Sequence, residues 1–364
     1  MKTPYKNQIY YEDLKYIMSQ LSMEERGKLN RSTILVTGCA GFLGFYLLSF
    51  FHEYKDELGI QKVTAIDNFR LGKPDWIHHL DPNLFEFMDL DITKMQDSDL
   101  ERIGEVDFIV HMASIASPTY YRLYPIETVD ANVWGLRRLL DWSRDAHVKG
   151  FLFFSSSEIY GDPAPDQIPT PESYSGNVQT IGPRACYDEA KRFGETLCYL
   201  YAQRYGMPIA VVRPFNNYGP GMRLTDTRVP ADFAKAVLRN EPIRMFSDGR
   251  PTRTFCYIAD AWVGYLKAML HGRFDVFNIG IDRPEISVSS LAEIYREAAA
   301  ELFGQHVPIE YAVSEDKSYL THNPSRRCPD LTKARSLLQY EPSVDVKEGV
   351  RRYLLFLKQG GAPE

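Results

Sequence analysis

Thr33-Ile34-Leu35-Val36-Thr37-Gly38-Cys39-Ala40-Gly41-Phe42-Leu43-Gly44 is the stretch that decides the fold. A short apolar run, three glycines at three-residue spacing and an apolar pattern at helical spacing predict a buried strand, a tight turn and a helix. Gly38, Gly41 and Gly44 let the backbone approach a pyrophosphate, and the first helical residues, Phe42 and Leu43, carry N–H groups that favour its charge. The next apolar run, Lys62-Val63-Thr64-Ala65-Ile66-Asp67, ends in an acid. Asp67, followed by Asn68 and Phe69, is placed to accept from a ribose hydroxyl and to repel a 2′-phosphate, which favours NAD over NADP. Capping the turn before Asn68 is the other role open to it.

Working outward, residues 85–92, 107–114, 150–155 and 209–213 read as further continuous apolar strands, and 42–54, 125–146 and 187–205 as the helices between them. Such alternation predicts an α/β fold of Rossmann type, a doubly wound parallel sheet covered on both faces. Residues 32–217 are assigned to this NAD-binding unit. Residues 218–364 mix helices with short strands, including one at 276–280, and are expected to form a smaller mixed α/β C-terminal substrate subdomain, interleaved at its boundary. Residues 1–31 are expected to be a helical extension packed on the surface, with Ser22 capping its second helix; a partner-docking arm is the lesser reading.

The composition suits a soluble enzyme. A net charge of −6 over 364 residues, with both signs interspersed, argues against nucleic acid as a partner. No apolar run is long enough to span a membrane, and the N-terminus lacks a signal-peptide core. Five scattered cysteines point to a reducing compartment without disulfides, and the eight histidines show no ligand spacing, so no metal is expected. The expected location is the cytoplasm.

Chemistry concentrates at the expected carboxyl ends of the strands, where open parallel sheets bind ligands. Asp91-Ile92 follows the third strand, and Asp91 either reaches an adenine or caps a turn. Ala113 and Ser114, small enough for close cofactor approach, end the fourth; His111 beside them reads as a strand histidine. Ser155-Ser156-Ser157-Glu158 ends the fifth, offering hydroxyls for a substrate alcohol and a carboxyl to position or protonate substrate atoms. Tyr187 and Lys191, in Arg184-Ala185-Cys186-Tyr187-Asp188-Glu189-Ala190-Lys191-Arg192, share one helix face. A phenol is a poor base near neutrality, and a nearby ammonium favours its phenolate. Arg228, Arg253 and Arg327 are candidates for a diphosphate. Asn216 either donates to a phosphate or caps a turn.

Together these residues resemble the extended short-chain dehydrogenase (epimerase/dehydratase) family that acts on nucleotide sugars. Ile181-Gly182-Pro183-Arg184-Ala185-Cys186-Tyr187-Asp188-Glu189, Ala116-Ser117-Pro118, Ser157-Glu158-Ile159-Tyr160-Gly161-Asp162-Pro163 and Arg327-Cys328-Pro329-Asp330 are similar to its UDP-glucuronate decarboxylase branch. The resemblance implies that Tyr187 is the base on the sugar C4 hydroxyl, that Lys191 holds the nicotinamide ribose and lowers the Tyr187 pKa, and that Ser156 bonds the same hydroxyl. It implies that Glu158 is the active-site glutamate, that Arg253 lies near the diphosphate and reaction centre, and that Tyr121 and Asn216 touch substrate. It also implies a reaction in which UDP-glucuronate passes through a 4-keto intermediate, loses carbon dioxide and leaves as UDP-xylose.

Ser156 stands where the family has threonine, and Asp130 where its decarboxylases tend to have lysine. A nucleotide-sugar 4-epimerase, a 4,6-dehydratase and a non-catalytic NAD-binding regulator are the alternatives; Ser157 in place of an aspartate speaks against the dehydratase. Helices 125–146 and 187–205 are apolar on more than one face, with Val133, Trp134, Leu136, Leu139 and Leu140 on the first and Phe193, Leu197, Leu200 and Tyr201 on the second. A second buried side is therefore expected, and with it a homodimer.

Overall fold

The computed structural model describes residues 7–313 and 324–361; residues 1–6 of the expected extension, and 314–323 and 362–364 of the expected C-terminal subdomain, lie outside the described residues. Six strands form in the order expected: β1 (Thr33–Thr37), β2 (Lys62–Asp67), β3 (Phe85–Asp89), β4 (Phe108–His111), β5 (Gly150–Phe154) and β6 (Ile209–Pro214). They pair in parallel as β3-β2-β1-β4-β5-β6, with Val36 beside Ala65 on one side and Val110 on the other. The order reverses at β1, so the crevice between β1 and β4 opens where the glycine turn leaves the sheet.

A seventh parallel strand, Asp275–Ile279, joins the edge beside β6, with Val276 opposite Val211. This corrects the expected assignment of 276–280 to the substrate subdomain. The helix Ile258–Met269, buried along its whole length, returns with it, so the division at 217/218 is crossed twice. The single expected helix at 125–146 is also corrected. It consists of Pro125–Asp130, a π-helical turn Ala131–Gly135 and Leu136–Ser143. A wider turn of this kind leaves no mark on hydrophobic spacing.

The helix after the glycine turn, α3 (Phe42–Glu53), buries Phe45, Tyr46, Leu47, Leu48, Phe50 and Phe51. It needs a second cover, and the N-terminal segment supplies it. Two helices, Gln8–Gln20 and Met23–Lys28, lie there, the second opened by a capping box between Ser22 and Glu25. Tyr10, Leu14 and Ile17 are fully buried, each contributing about 1.5–3 kcal/mol. The buried Asp13 accepts from the hydroxyls of Tyr46 on α3 and Tyr257 at 2.6 Å each, and from Arg352 of the C-terminal helix at 2.6 Å. The segment thus joins α3 to the C-terminal half. Among the described residues no helix is long and apolar enough to cross a membrane.

Candidate active site

The glycine turn has the shape of a phosphate cradle. Gly38 has φ +74°, and a Cβ there would lie 2.6 Å from the Ala113 nitrogen. A Cβ on Gly44 would lie 1.9 Å from the Cys39 carbonyl oxygen. Gly41 caps α3 without any side-chain acceptor, so the first-turn N–H groups, Phe42 and Leu43 among them, have no intrahelical partner. Asp67 accepts from the Ala40 and Phe69 N–H groups at 3.0 and 2.9 Å. It therefore does cap the turn and also pins the glycine loop, leaving further lone pairs for a ribose. Burial raises its pKa. Asn68 donates to Asp91 at 3.4 Å, and Asp91 caps the turn at Thr93. Phe69 holds a positive φ of 45°. Ile92 packs against the π-helical turn, where a Cβ on Gly135 would meet it at 2.5 Å.

Buried polar atoms without a partner gather beside this turn: Ser114 Oγ, Ser117 Oγ, Tyr121 Oη and His111 Nε2. Unpaired buried groups are costly, and a bound molecule is the ordinary remedy. Cradle, acidic strand end and waiting donors fit a dinucleotide. His111 is a strand histidine as expected; burial and then Lys191 push it down to about 3, so it is neutral.

Tyr187 and Lys191 lie on the helix Ala185–Tyr205, packed over β5. Tyr187 is buried and stacks on Tyr121 with ring centroids 5.2 Å apart and planes 13° off parallel. Lys191 donates to the Phe154 carbonyl at 2.6 Å, and burial pushes its pKa down to about 7. Lys191 Nζ lies 5.8 Å from the Tyr187 ring centroid. Burial pushes Tyr187 up to about 12, and the groups that favour its phenolate are the Ser156 hydroxyl and the Arg228 guanidinium.

Ser156 connects two parts of the site. Its hydroxyl favours the Tyr187 phenolate and accepts from the Glu158 N–H at 3.2 Å, opening the turn Ser157–Tyr160. Glu158 is gripped by Arg327, with Nη2 2.7 Å from Oε2, and by Arg184. Burial would raise its pKa, but these guanidiniums hold it well below the usual carboxylate range. Of the two roles expected for Glu158, a carboxylate held by guanidiniums suits positioning.

Arg184 and Asp188, which the sequence alone leaves without a role, also belong to this site. Arg184 Nε lies 3.6 Å from Asp188, one turn on, while its other end holds Glu158. Burial and the nearby Glu158 raise the Asp188 pKa, and its Oδ1 is buried without a partner. The Arg184–Asp188 spacing of four was the available signal. Arg253 donates to the carbonyls of Thr252, Pro324 and Ser325, and its charge also bears on Glu158. Burial and the neighbouring Arg327 push it down to about 9. Asn216, at φ +43°, donates to the Thr254 carbonyl at 2.8 Å and so steadies the Arg253 strand. Arg228 stands apart from this cluster, paired with Asp226 at 2.6 Å and lying over the Phe42 ring. The structure thus brings Arg253, Arg327 and Glu158 together and places Arg228 on the cofactor side of Tyr187. Around Glu158 and Asp188, Arg184, Arg253 and Arg327 leave a positive surplus suited to an anionic substrate.

Glycine cradle, Tyr187 over the fifth strand and the seven-stranded parallel sheet define a class, and residues 34–280 match the model of the NAD dependent epimerase/dehydratase family. The chain belongs to that family. It is 36% identical over 323 residues to UDP-glucuronic acid decarboxylase 1 of Arabidopsis thaliana, spanning 88% of this chain and 69% of that protein. To UDP-glucuronic acid decarboxylase 5 of the same plant it is 36% identical, over 87% of this chain and 86% of that one. Among solved structures, a UDP-glucose 4-epimerase from Thermotoga maritima superposes with a TM-score of 0.78 at 29% identity, covering 90% of this chain and 99% of the other. A UDP-glucuronic acid 4-epimerase from Bacillus cereus, in complex with UDP-glucuronic acid and NAD, gives 0.73 at 26% identity over the same shares.

Proposed function

We propose that this chain is an NAD-dependent nucleotide-sugar decarboxylase that converts UDP-glucuronate to UDP-xylose through a 4-keto intermediate. The observation that carries the proposal is Ser156, whose hydroxyl bears on Tyr187 by favouring its phenolate and accepts from the turn that holds Glu158 in its arginine cluster. A group for proton removal at C4 and a cationic cluster for the carboxylated end of the sugar therefore sit side by side. The names borne by the relatives support the same reading.

NAD, held by the glycine turn, Asp67 and Lys191, would supply a reversible hydride acceptor. Ser156 orients the C4 hydroxyl and favours the phenolate of Tyr187, which takes its proton. A ketone at C4 lies β to the C6 carboxylate, so carbon dioxide can leave with the bonding electrons passing to the ketone oxygen. Arg184, Arg253 and Arg327 lower the cost of negative charge there and at the diphosphate. The enolate takes a proton at C5 from solvent, and as hydride comes back to C4 the protonated Tyr187 gives its proton to the re-forming C4 alcohol. Asp67 would make NAD preferred over NADP.

Mass spectrometry of UDP-glucuronate incubated with the protein and NAD tests this. Loss of carbon dioxide supports decarboxylation. Unchanged mass with altered retention means a 4-epimerase; Asp130, half-buried at the end of Pro125–Asp130, would repel a sugar carboxylate that came near it and so bears on the choice of sugar rather than on the nucleotide-sugar class. No change with any nucleotide sugar means a regulator.

The protein is also proposed to be a homodimer. Val133, Leu136, Leu139, Leu140, Leu197 and Tyr201 are spent inside the protomer, but Trp134, Phe193 and Leu200 stay 62%, 50% and 52% exposed on the two helices expected to pair. An isologous four-helix contact would cover them.

A further inference from the structure

A second buried charge cluster lies behind the site, touching neither the glycine turn nor the arginines around Glu158. Arg213, near the end of β6, makes a two-pronged pair with Glu195, two turns beyond Tyr187 on its helix, at 2.9 and 2.6 Å. Glu195 accepts as well from the hydroxyl of Ser155, the residue before Ser156. The remaining fork of Arg213 donates to the Tyr160 hydroxyl at 2.6 Å and to the Glu172 carbonyl at 2.9 Å. Tyr160 closes the turn that carries Glu158 and donates onward to Asn278 on the seventh strand at 2.7 Å.

One guanidinium is thus bonded toward the helix of Tyr187 and Lys191 through Glu195, toward Ser156 through Ser155, and toward the turn of Glu158 through Tyr160. All of these groups are buried or nearly so. A planar fork with five fixed donors can hold several acceptors in one geometry; an ammonium cannot.

We propose that Arg213 and Glu195 are positioning residues that set the Tyr187 helix, Ser156 and the Glu158 turn in mutual register, neither one touching substrate. The inference rests on the proposed role of Tyr187. A misplacement of about an ångström at a reacting centre can cost on the order of a hundredfold in rate, whereas the substrate-binding arginines are not touched by this network.

The test compares Arg213→Lys, Ser155→Ala and the double variant Arg213→Met/Glu195→Leu with the wild type. The readouts are kcat, KM for UDP-glucuronate, thermal midpoint and the crystallographic separation of Tyr187 Oη from Ser156 Oγ. Arg213→Lys is expected to lower kcat by roughly 10–100-fold with KM within about twofold. Ser155→Ala, which leaves the ion pair intact, is expected to lower kcat at an unchanged midpoint. The double variant leaves no unpaired buried charge; recovery of its midpoint without recovery of kcat supports positioning. Recovery of both shows a merely structural pair and overturns the proposal. So does wild-type kcat in Ser155→Ala, which decides the matter if Arg213→Lys does not fold. Should the wild type turn over no UDP-glucuronate, the proposed reaction fails separately. The Tyr187–Ser156 separation then decides: widening in the variants supports the inference, and an unchanged separation overturns it.

Discussion

Glu158 and Arg327, 169 residues apart in sequence, meet at 2.7 Å beside the fifth strand. The pair fixes Glu158 as a carboxylate and makes the C-terminal segment part of the site that the sheet builds. Replacing Glu158 by Gln removes the charge facing Arg184, Arg253 and Arg327. Breaking such a pair typically costs about 3–5 kcal/mol when it is fully buried, and less is expected here because Glu158 is part-exposed. Oxidation at C4 is expected to persist in Glu158→Gln while the later carbon chemistry slows. Stopped-flow absorbance should show transient reduced nicotinamide in Glu158→Gln and none in Tyr187→Phe; the same trace in both would sink the division of roles.

Lys191 makes a pH-dependent prediction. Burial lowers its folded pKa to about 7, so between about pH 7 and its ordinary value near 10.4 the unfolded chain binds a proton that the folded chain does not. Stability from this group therefore rises with pH across that window. Without cofactor, Lys191→Met should be more stable than the wild type at pH 7, by on the order of 3 kcal/mol, with the gap closing toward pH 10. Urea denaturation at several pH values measures it; a gap independent of pH would contradict the burial cost.

Asp13 is the polar centre of the N-terminal helix pair. Asp13→Ala leaves Arg352 without its buried partner and should cost about 3–5 kcal/mol. Chemical denaturation checks this, and a loss below about 1 kcal/mol would show that the segment is not a brace.

Trp134→Glu or Leu200→Glu places a charge on the proposed helix–helix contact. Light scattering at micromolar concentration should find a dimer for the wild type and a monomer for each variant. A monomeric wild type refutes the dimer.

The glycine cradle, Asp67 and the Tyr187–Lys191 face were legible because each is local: a strand end, a turn or one helical spacing carries the signal. Gly38 shows how far that reaches, since its φ of +74° belongs to the turn itself, whereas the close approach of Ala113 at the end of β4 depends on tertiary packing. What was not legible depends on distant packing. Arg327 was visible as a cation, but its partner Glu158 was not. Arg213 reads as a polar end to an apolar strand until Glu195 and Tyr160 are seen around it. The strand Asp275–Ile279 looked like the C-terminal neighbours it follows because only tertiary pairing with β6 places it in the main sheet. The surroundings of Lys191 were hidden for the same reason: the helical spacing shows that it lies near Tyr187, but not that its ammonium is buried and bonded to the Phe154 carbonyl.

The central claim is that carbon–carbon cleavage occurs on a sugar oxidised at C4. Incubating UDP-glucuronate with the protein and NAD in deuterated water, and following the product by proton NMR, tests it most directly. The expected product is a pentose nucleotide that has lost the C6 carboxyl and carries one deuterium at C5, taken from the solvent when the enolate is protonated. A hexuronate product that keeps its carboxyl, with hydrogen rather than deuterium at C5 and inverted configuration at C4, would contradict it.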